Sequence, residues 1–176
     1  HRSGHSFPTR RSSDLLTIIY PFCKRFIKSP QVILGLTFSW SIPMAYVACG
    51  SEFNLSMFFL WVGVLIWIVV YDTFYALVDI DDDLKTGVFS TAILFGDKVS
   101  FVTSLSQIIV LVAWAYLGII LEMSLLYFLM LIIVLLLFSR QQLLISDRQR
   151  KDCFKAFNES WYVGFFHFLG IFLSLA

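Results

Sequence analysis

Long apolar runs alternate with short polar connections along most of the chain. The runs are too uniformly apolar to be transmembrane β-strands, in which apolar and polar residues alternate over about ten positions. Several of them approach or exceed the roughly 20 residues that a helix needs to cross a bilayer. The pattern therefore predicts an all-α fold, a polytopic transmembrane helix bundle.

Five of these runs are candidates for full spans. We predict spans over Val32–Cys49, Leu55–Val78, Phe101–Leu121, Met123–Phe138 and Trp161–Ala176. Pro43 interrupts the first run, and a proline at this depth is tolerated where neighbouring helices satisfy the freed backbone groups. We therefore expect a kink in the first predicted span.

The basic residues between these runs favour one orientation. Outside the first fourteen residues, all ten Lys and Arg lie in the connections 21–30, 79–100 and 139–160, and none in the turns 50–54 and 118–124. Because basic loops are retained in the cytoplasm, this distribution predicts that the three connections are cytoplasmic. We interpret the basic cluster at 148–151 as a contact with lipid headgroups.

Composition excludes several classes of protein. The chain is 59% hydrophobic and 14% charged, whereas soluble domains carry roughly 25% charged residues. A net charge of +1 gives no indication of nucleic-acid binding. The three cysteines are far apart in the sequence, with no pairing pattern for zinc or for a disulfide framework.

The first fourteen residues differ from the rest. They are polar and basic, and they lack the apolar centre of a signal peptide. We expect residues 1–14 to be a non-native or disordered leader and residues 15–176 to form the transmembrane domain.

An acidic segment follows the second predicted span. Five of the twelve acidic residues lie between positions 72 and 83, and carboxylates at a membrane boundary are costly unless a cation or partner satisfies them. In a helix, Asp79 and Asp83 share one side because they are four residues apart. Asp72 lies on nearly the same face, about 10 Å away along the axis. We expect Asp81 and Asp82 to point away from this face into solvent.

These residues suggest chemistry on a phosphorylated lipid. Two carboxylates, Asp79 and Asp83, suit Mg²⁺ carrying a substrate phosphate, and Lys24, Arg25 and Lys85 lie on the same predicted side and would neutralise the remaining charge. Apolar helices beside such a site could hold a long apolar tail. Two other interpretations stay open: a solvated acidic loop that ends a helix, and a cation-binding membrane protein or transporter fragment.

The same segment resembles a known motif. Residues 71–87, YDTFYALVDIDDDLKTG, followed by STAILFG at 90–96, resemble the second aspartate motif of the UbiA prenyltransferase family. Collinear matches at 20–25, 30–35, 40–45, 153–157 and 162–164 extend the resemblance over about residues 16–176. It is strongest to the branch that prenylates 4-hydroxybenzoate in ubiquinone synthesis.

The resemblance implies a fold and an activity. It implies a UbiA-type bundle of nine transmembrane helices in the bacterial inner membrane, with its active site open to the cytoplasm. It also implies Mg²⁺-dependent transfer of a polyprenyl group from polyprenyl diphosphate to the ring carbon ortho to the hydroxyl of 4-hydroxybenzoate. A UbiA enzyme with another acceptor, such as homogentisate or the haem precursor, is the alternative.

The resemblance also implies roles for single residues. Asp79 and Asp83 match metal-binding aspartates, and Arg25 matches a basic residue that contacts the diphosphate. Asp72 matches the leading acid of the motif, which we expect to orient the aromatic substrate. Phe89 stands where the family usually has Lys.

The first aspartate motif of the family has no counterpart in this sequence. We therefore expect the chain to be a carboxy-terminal fragment that carries one of the two motifs.

Overall fold

The computed structural model describes residues 26–175, and eight complete α-helices lie within this range. They are α1 (Pro30–Ser39), α2 (Ser41–Ala48), α3 (Leu55–Val78), α4 (Ile80–Thr86), α5 (Thr91–Phe95), α6 (Val99–Ile120), α7 (Leu125–Ile145) and α8 (Arg150–Leu175). A single 3-10 turn, Gly96–Lys98, joins α5 to α6. These residues contain no strand, and the all-α prediction is confirmed. The predicted leader, residues 1–14, lies outside the described residues.

Four helical stretches within residues 26–175 are long and apolar enough to cross a membrane. They are Pro30–Ala48, Leu55–Val78, Thr91–Ile120 and Leu125–Ile145. Residues 161–175 of the fifth predicted span form the second half of α8, which is not among these four stretches. The first predicted span is interrupted at Trp40, because Pro43 has no N–H to donate to the Ser39 carbonyl.

Helix α3 carries the acidic segment to one end of the bundle. It begins at a cap in which Asn54 Oδ1 accepts a hydrogen bond from the Met57 N–H at 2.8 Å. Its 24 residues span about 36 Å at the normal helical rise. Asp79 separates α3 from α4, and α4 ends at Gly87, whose φ of +69° is a conformation that glycine adopts without strain.

Two buried clusters hold the helices together. Helix α3 packs against α1, α6 and α8, and α7 packs against α8. The cluster near the acidic segment includes Phe74, Leu77, Val99, Ile145 and Cys153. The other cluster includes Val110, Trp114, Tyr127, Val134 and Val163. Outward faces of α6 and α7 expose large apolar side chains, as lipid-facing surfaces do.

Buried amides link α6, α7 and α8. Gln107 Nε2 donates to Gln141 Oε1 at 2.9 Å, and Gln141 Nε2 donates to Ser160 Oγ at 3.0 Å. Gln142 Nε2 donates to Gln107 Oε1 at 2.7 Å. Hydrogen bonds between transmembrane helices each contribute about 0.6 kcal/mol on average. The set therefore fixes the register of the three helices more than it adds to their stability.

A glycine brings α8 close to α3. A Cβ atom on Gly164 would lie 2.7 Å from Cη2 of Trp67, which is closer than non-bonded carbon atoms approach. The missing side chain therefore lets the Trp67 ring lie against the α8 backbone. The same approach brings the first turns of α8 to the acidic end of α3.

We expect Gly164→Val to destabilise the bundle by about 1–3 kcal/mol, because the added methyl groups overlap the Trp67 ring. The free energy of unfolding in mixed detergent micelles measures this effect. Ala45→Val, on an exposed position of α2, is the matched control and should leave stability nearly unchanged. Equal stability of both variants would contradict the close approach of α3 and α8.

Candidate functional site

The acidic segment begins within α3. Asp72 lies in the helix and Asp79 follows its last residue, Val78. Seven residues make nearly two helical turns, so the two positions share a face about 10 Å apart. Both side chains are partly buried. The predicted alignment of Asp72 with Asp79 therefore agrees with the helix bounds.

Asp79 and Asp82 face the same cation. Nη2 of Arg150 lies 3.8 Å from Oδ1 of Asp79 and 3.8 Å from Oδ2 of Asp82. Lys85 Nζ lies 3.6 Å from Oδ1 of Asp82. The end of α3 and the start of α8 therefore meet through charged side chains.

The prediction that Asp82 is exposed to solvent is confirmed by its 59% exposed side chain, but the prediction that it points away from Asp79 is wrong. The chain stays near helical geometry through Asp79, whose carbonyl accepts hydrogen bonds from the N–H groups of both Asp82 and Asp83. Positions three and four residues apart on a helix are both neighbours, so Asp82 reaches the guanidinium of Arg150 beside Asp79. Asp83 is partly buried, whereas Asp81 is exposed as expected.

A charged pocket forms where these elements meet. It has a volume of about 380 Å³ and is lined by Tyr75, Val78, Asp79, Arg150, Lys151 and Phe154. It therefore combines one carboxylate, two cations and two aromatic rings. The two cations could bind an anion while the carboxylate binds a metal ion.

An aromatic groove continues from this pocket between α3 and α8. It also has a volume of about 380 Å³, and it is lined by Trp67, Tyr71, Phe157, Asn158, Ser160 and Trp161. The Phe157 ring centroid lies 5.0 Å from that of Tyr75 in the charged pocket and 6.0 Å from that of Tyr71 in the groove. The charged pocket and the aromatic groove therefore adjoin at Phe157.

Another cavity, of about 440 Å³, lies between α6 and α7. Its lining includes Ser104, Gln107, Leu135, Phe138 and Gln142, and none of its lining residues carries a charge. It is larger than the charged pocket, but a diphosphate would find no cation there. The pocket at Asp79 is therefore the better candidate site.

The remaining predicted cations divide into two groups. Lys85 is exposed beside Asp82, at the same end of the bundle as Asp79. Lys24 and Arg25 lie outside the described residues. Sequence reasoning missed Arg150 and Lys151, which were interpreted as a lipid-headgroup contact. The signal that could have identified them is their position directly before residues 153–157, a stretch with a family resemblance.

The carboxylates suit a metal ion only in part. Within residues 26–175, no group of three His, Cys, Asp or Glu side chains converges to hold a metal. Mg²⁺, however, is commonly held through one or two carboxylates, with substrate phosphates and water completing its shell. Asp79 and Asp83, both partly buried, supply hard oxygen donors of this kind. The donor set therefore fits Mg²⁺ bound together with a phosphate ligand.

Comparisons with known proteins give a consistent result. The UbiA prenyltransferase family model matches residues 13–170. The chain is 46% identical over 160 residues to the 4-hydroxybenzoate octaprenyltransferase of Psychromonas ingrahamii, with 91% of the chain and 56% of that protein covered. The protein of the same name from Edwardsiella ictaluri gives the same three percentages. The chain thus spans little more than half the length of these relatives.

A solved structure supports the fold. The apo structure of a UbiA homolog from Aeropyrum pernix K1 matches with a TM-score of 0.78 at 18% identity, covering 94% of this chain and 62% of that one. At this identity the likeness bears on the fold alone. It confirms the UbiA-type helix bundle, and the family match and the four apolar helices together indicate an integral membrane protein.

Cysteine labelling tests whether α8 is docked as described. Cys49 is exposed and Cys153 is buried, and burial raises the pKa of the Cys153 thiol. Because the thiolate is the reactive form, Cys153 should react with a maleimide at neutral pH about tenfold more slowly than Cys49, or slower still. Its rate should rise only at a higher pH than for an ordinary thiol.

Labelling is measured in a Cys23→Ser background, with protein denatured in dodecyl sulfate as the control in which both thiols react alike. Similar rates in the folded protein would mean that Cys153 is accessible and that α8 is not docked with this residue against the buried cluster.

Proposed function

This chain belongs to the UbiA prenyltransferase family, and we propose that its acidic segment serves the transfer of a polyprenyl group from polyprenyl diphosphate to 4-hydroxybenzoate. The observation that carries the proposal is the junction at Phe157 between the charged pocket and the aromatic groove. A polyprenyl diphosphate has a charged head and an apolar tail. The two adjoining spaces suit these two parts of one molecule.

Binding of the head is assigned to charged residues. Asp79 and Asp83 are proposed to hold Mg²⁺, which would neutralise charge on the departing diphosphate. Lys85, together with Lys24 and Arg25, is proposed to contact the diphosphate oxygens. Mg²⁺ dependence follows from this donor chemistry and from the family.

Binding of the tail is assigned to the aromatic groove. Trp67, Tyr71 and Phe157 present ring faces and edges along α3 and α8. When the bond between the prenyl carbon and the diphosphate oxygen breaks, the electron pair leaves with the diphosphate and the prenyl carbon becomes electron-deficient. Aromatic faces stabilise such a cation, and apolar walls keep water from capturing it.

Transfer is completed on the acceptor ring. The carbon ortho to the hydroxyl of 4-hydroxybenzoate forms the new bond to the prenyl carbon, and the proton that this carbon then loses passes to the departing diphosphate. Asp72, which shares a face with Asp79 and lies about 10 Å from it along α3, is proposed to orient this ring. Its neighbour Tyr71 lines the groove, so an acceptor held by Asp72 would lie beside the tail.

The proposed location is the bacterial inner membrane, with the acidic end facing the cytoplasm. The basic residues at 79–100 and 139–160 support this orientation. Substrate and lipid would then reach the aromatic groove from the membrane while the charged pocket faces water.

A chimera tests the function directly. Residues 15–176 replace the matching segment of the Psychromonas ingrahamii relative, and prenyl transfer is measured in membranes with 4-hydroxybenzoate, octaprenyl diphosphate and Mg²⁺. We expect activity in the chimera and a loss of about a hundredfold or more with Asp79→Asn, because the metal-bound diphosphate loses a ligand. Asp81→Asn removes an equal charge from an exposed position and should keep most of the activity.

Two results would contradict the proposal. One is a chimera that inserts normally and prenylates homogentisate or another acceptor but not 4-hydroxybenzoate. The other is equal activity in the Asp79→Asn and Asp81→Asn chimeras.

A further inference from the structure

We propose that Arg150 is a built-in counter-cation of Asp79 and Asp82 that, with Lys151, becomes a binding group for the diphosphate once a divalent cation takes its place at Asp79. This inference rests on the proposed function and deepens it. It adds two diphosphate-binding residues on α8 and an exchange of partners at the metal site.

The geometry of Arg150 suits a cation that must move. Its Nη2 lies 3.8 Å from one oxygen of Asp79 and 3.8 Å from one oxygen of Asp82, and hydrogen bonds between nitrogen and oxygen are shorter than this. The guanidinium is 68% exposed. It is therefore held by charge rather than by directed hydrogen bonds, and it can turn away at small cost.

Two other arginines make shorter contacts with carboxylates. Arg140 on α7 donates to both oxygens of Glu159 on α8, at 2.8 and 3.0 Å, and Arg148, between α7 and α8, donates to Asp97 at 3.1 Å. The first contact joins two helices in the way that structural ion pairs do. Arg150 differs because it bridges two carboxylates without a short contact to either.

The charges explain why an exchange of partners is favourable. Asp79 and Asp82 are balanced by Arg150 and Lys85. A divalent cation bound at Asp79 would leave Arg150 facing positive charge, so the guanidinium would be repelled. A diphosphate arriving with the metal ion supplies new negative charge, which Arg150 can bind through two parallel hydrogen bonds.

The new partner lies within reach of the side chain. Arg150 and Lys151 line the same pocket as Asp79, beside the rings of Tyr75 and Phe154. Rotation about side-chain bonds is therefore sufficient, and α8 need not move. The helix start places both cations at the end of the aromatic groove where the head of a prenyl diphosphate would lie.

The test uses the chain in lipid nanodiscs with two probes. Mn²⁺ binding is measured by electron paramagnetic resonance, and binding of inorganic pyrophosphate in the presence of Mn²⁺ is measured by calorimetry. Arg150→Gln should bind Mn²⁺ about two- to fivefold more tightly, since a competing surface ion pair is removed. The same variant should bind pyrophosphate about tenfold more weakly.

Lys155→Gln is the matched control, because it removes one exposed cation a turn further along α8 and should change neither affinity. Arg150→Lys keeps the charge without the planar fork and should recover part of the pyrophosphate affinity. A purely structural role for Arg150 would weaken both affinities together. Opposite changes in the two affinities therefore identify the exchange.

Several outcomes separate this inference from the function on which it rests. If Asp79→Asn abolishes Mn²⁺ binding while Arg150→Gln leaves pyrophosphate binding unchanged, only the inference is overturned. Parallel weakening of both affinities in Arg150→Gln also overturns it. If the native chain does not bind Mn²⁺, or if Asp79→Asn binds it as well as the native chain, the proposed metal site fails and the inference fails with it.

Discussion

The close packing of α8 against α3 at Gly164 and Trp67 is the contact on which the candidate site depends. Helix α3 carries Asp72, ends beside Asp79 and forms one wall of the aromatic groove, and α8 carries the opposite wall and the two cations. Neither helix alone forms a pocket. The absence of a side chain at Gly164 lets the Trp67 ring of the groove lie against the α8 backbone.

The free-energy cost of placing charged side chains near a membrane explains how they are paired at the acidic end of the bundle. Carboxylates and cations there are expensive unless they are paired or hydrated, and the described residues pair them across helices, as in Asp79 with Arg150 and Glu159 with Arg140. The tight pair fixes α7 to α8, whereas the loose pair keeps a cation beside the carboxylates without locking it. A site for a charged substrate needs this second kind of contact.

The sequence was sufficient to predict the fold class and the part of the site that α3 and its end contribute, Asp72 and Asp79. Long apolar runs indicate membrane-spanning helices directly. The spacing of residues along one helix predicted that Asp72 and Asp79 share a face. The role of Arg150 could not be predicted in this way, because its partner Asp79 lies 71 positions earlier in the chain. Periodicity along one helix does not indicate which residues of different helices are in contact. Asp82 was misjudged because only the spacing of four residues between Asp79 and Asp83 was considered, although a residue three positions after Asp79 also adjoins it on a helix.

The central claim is that the groove between α3 and α8, with its charged end at Asp79, binds a prenyl diphosphate. Photoaffinity labelling with a prenyl diphosphate that carries a photoreactive group in its tail tests this claim most directly, with the labelled residues found by mass spectrometry. The account predicts Mg²⁺-dependent labels on groove residues such as Tyr71, Phe157 and Trp161. Labels concentrated in the uncharged cavity between α6 and α7, near Leu135 and Phe138, would contradict it.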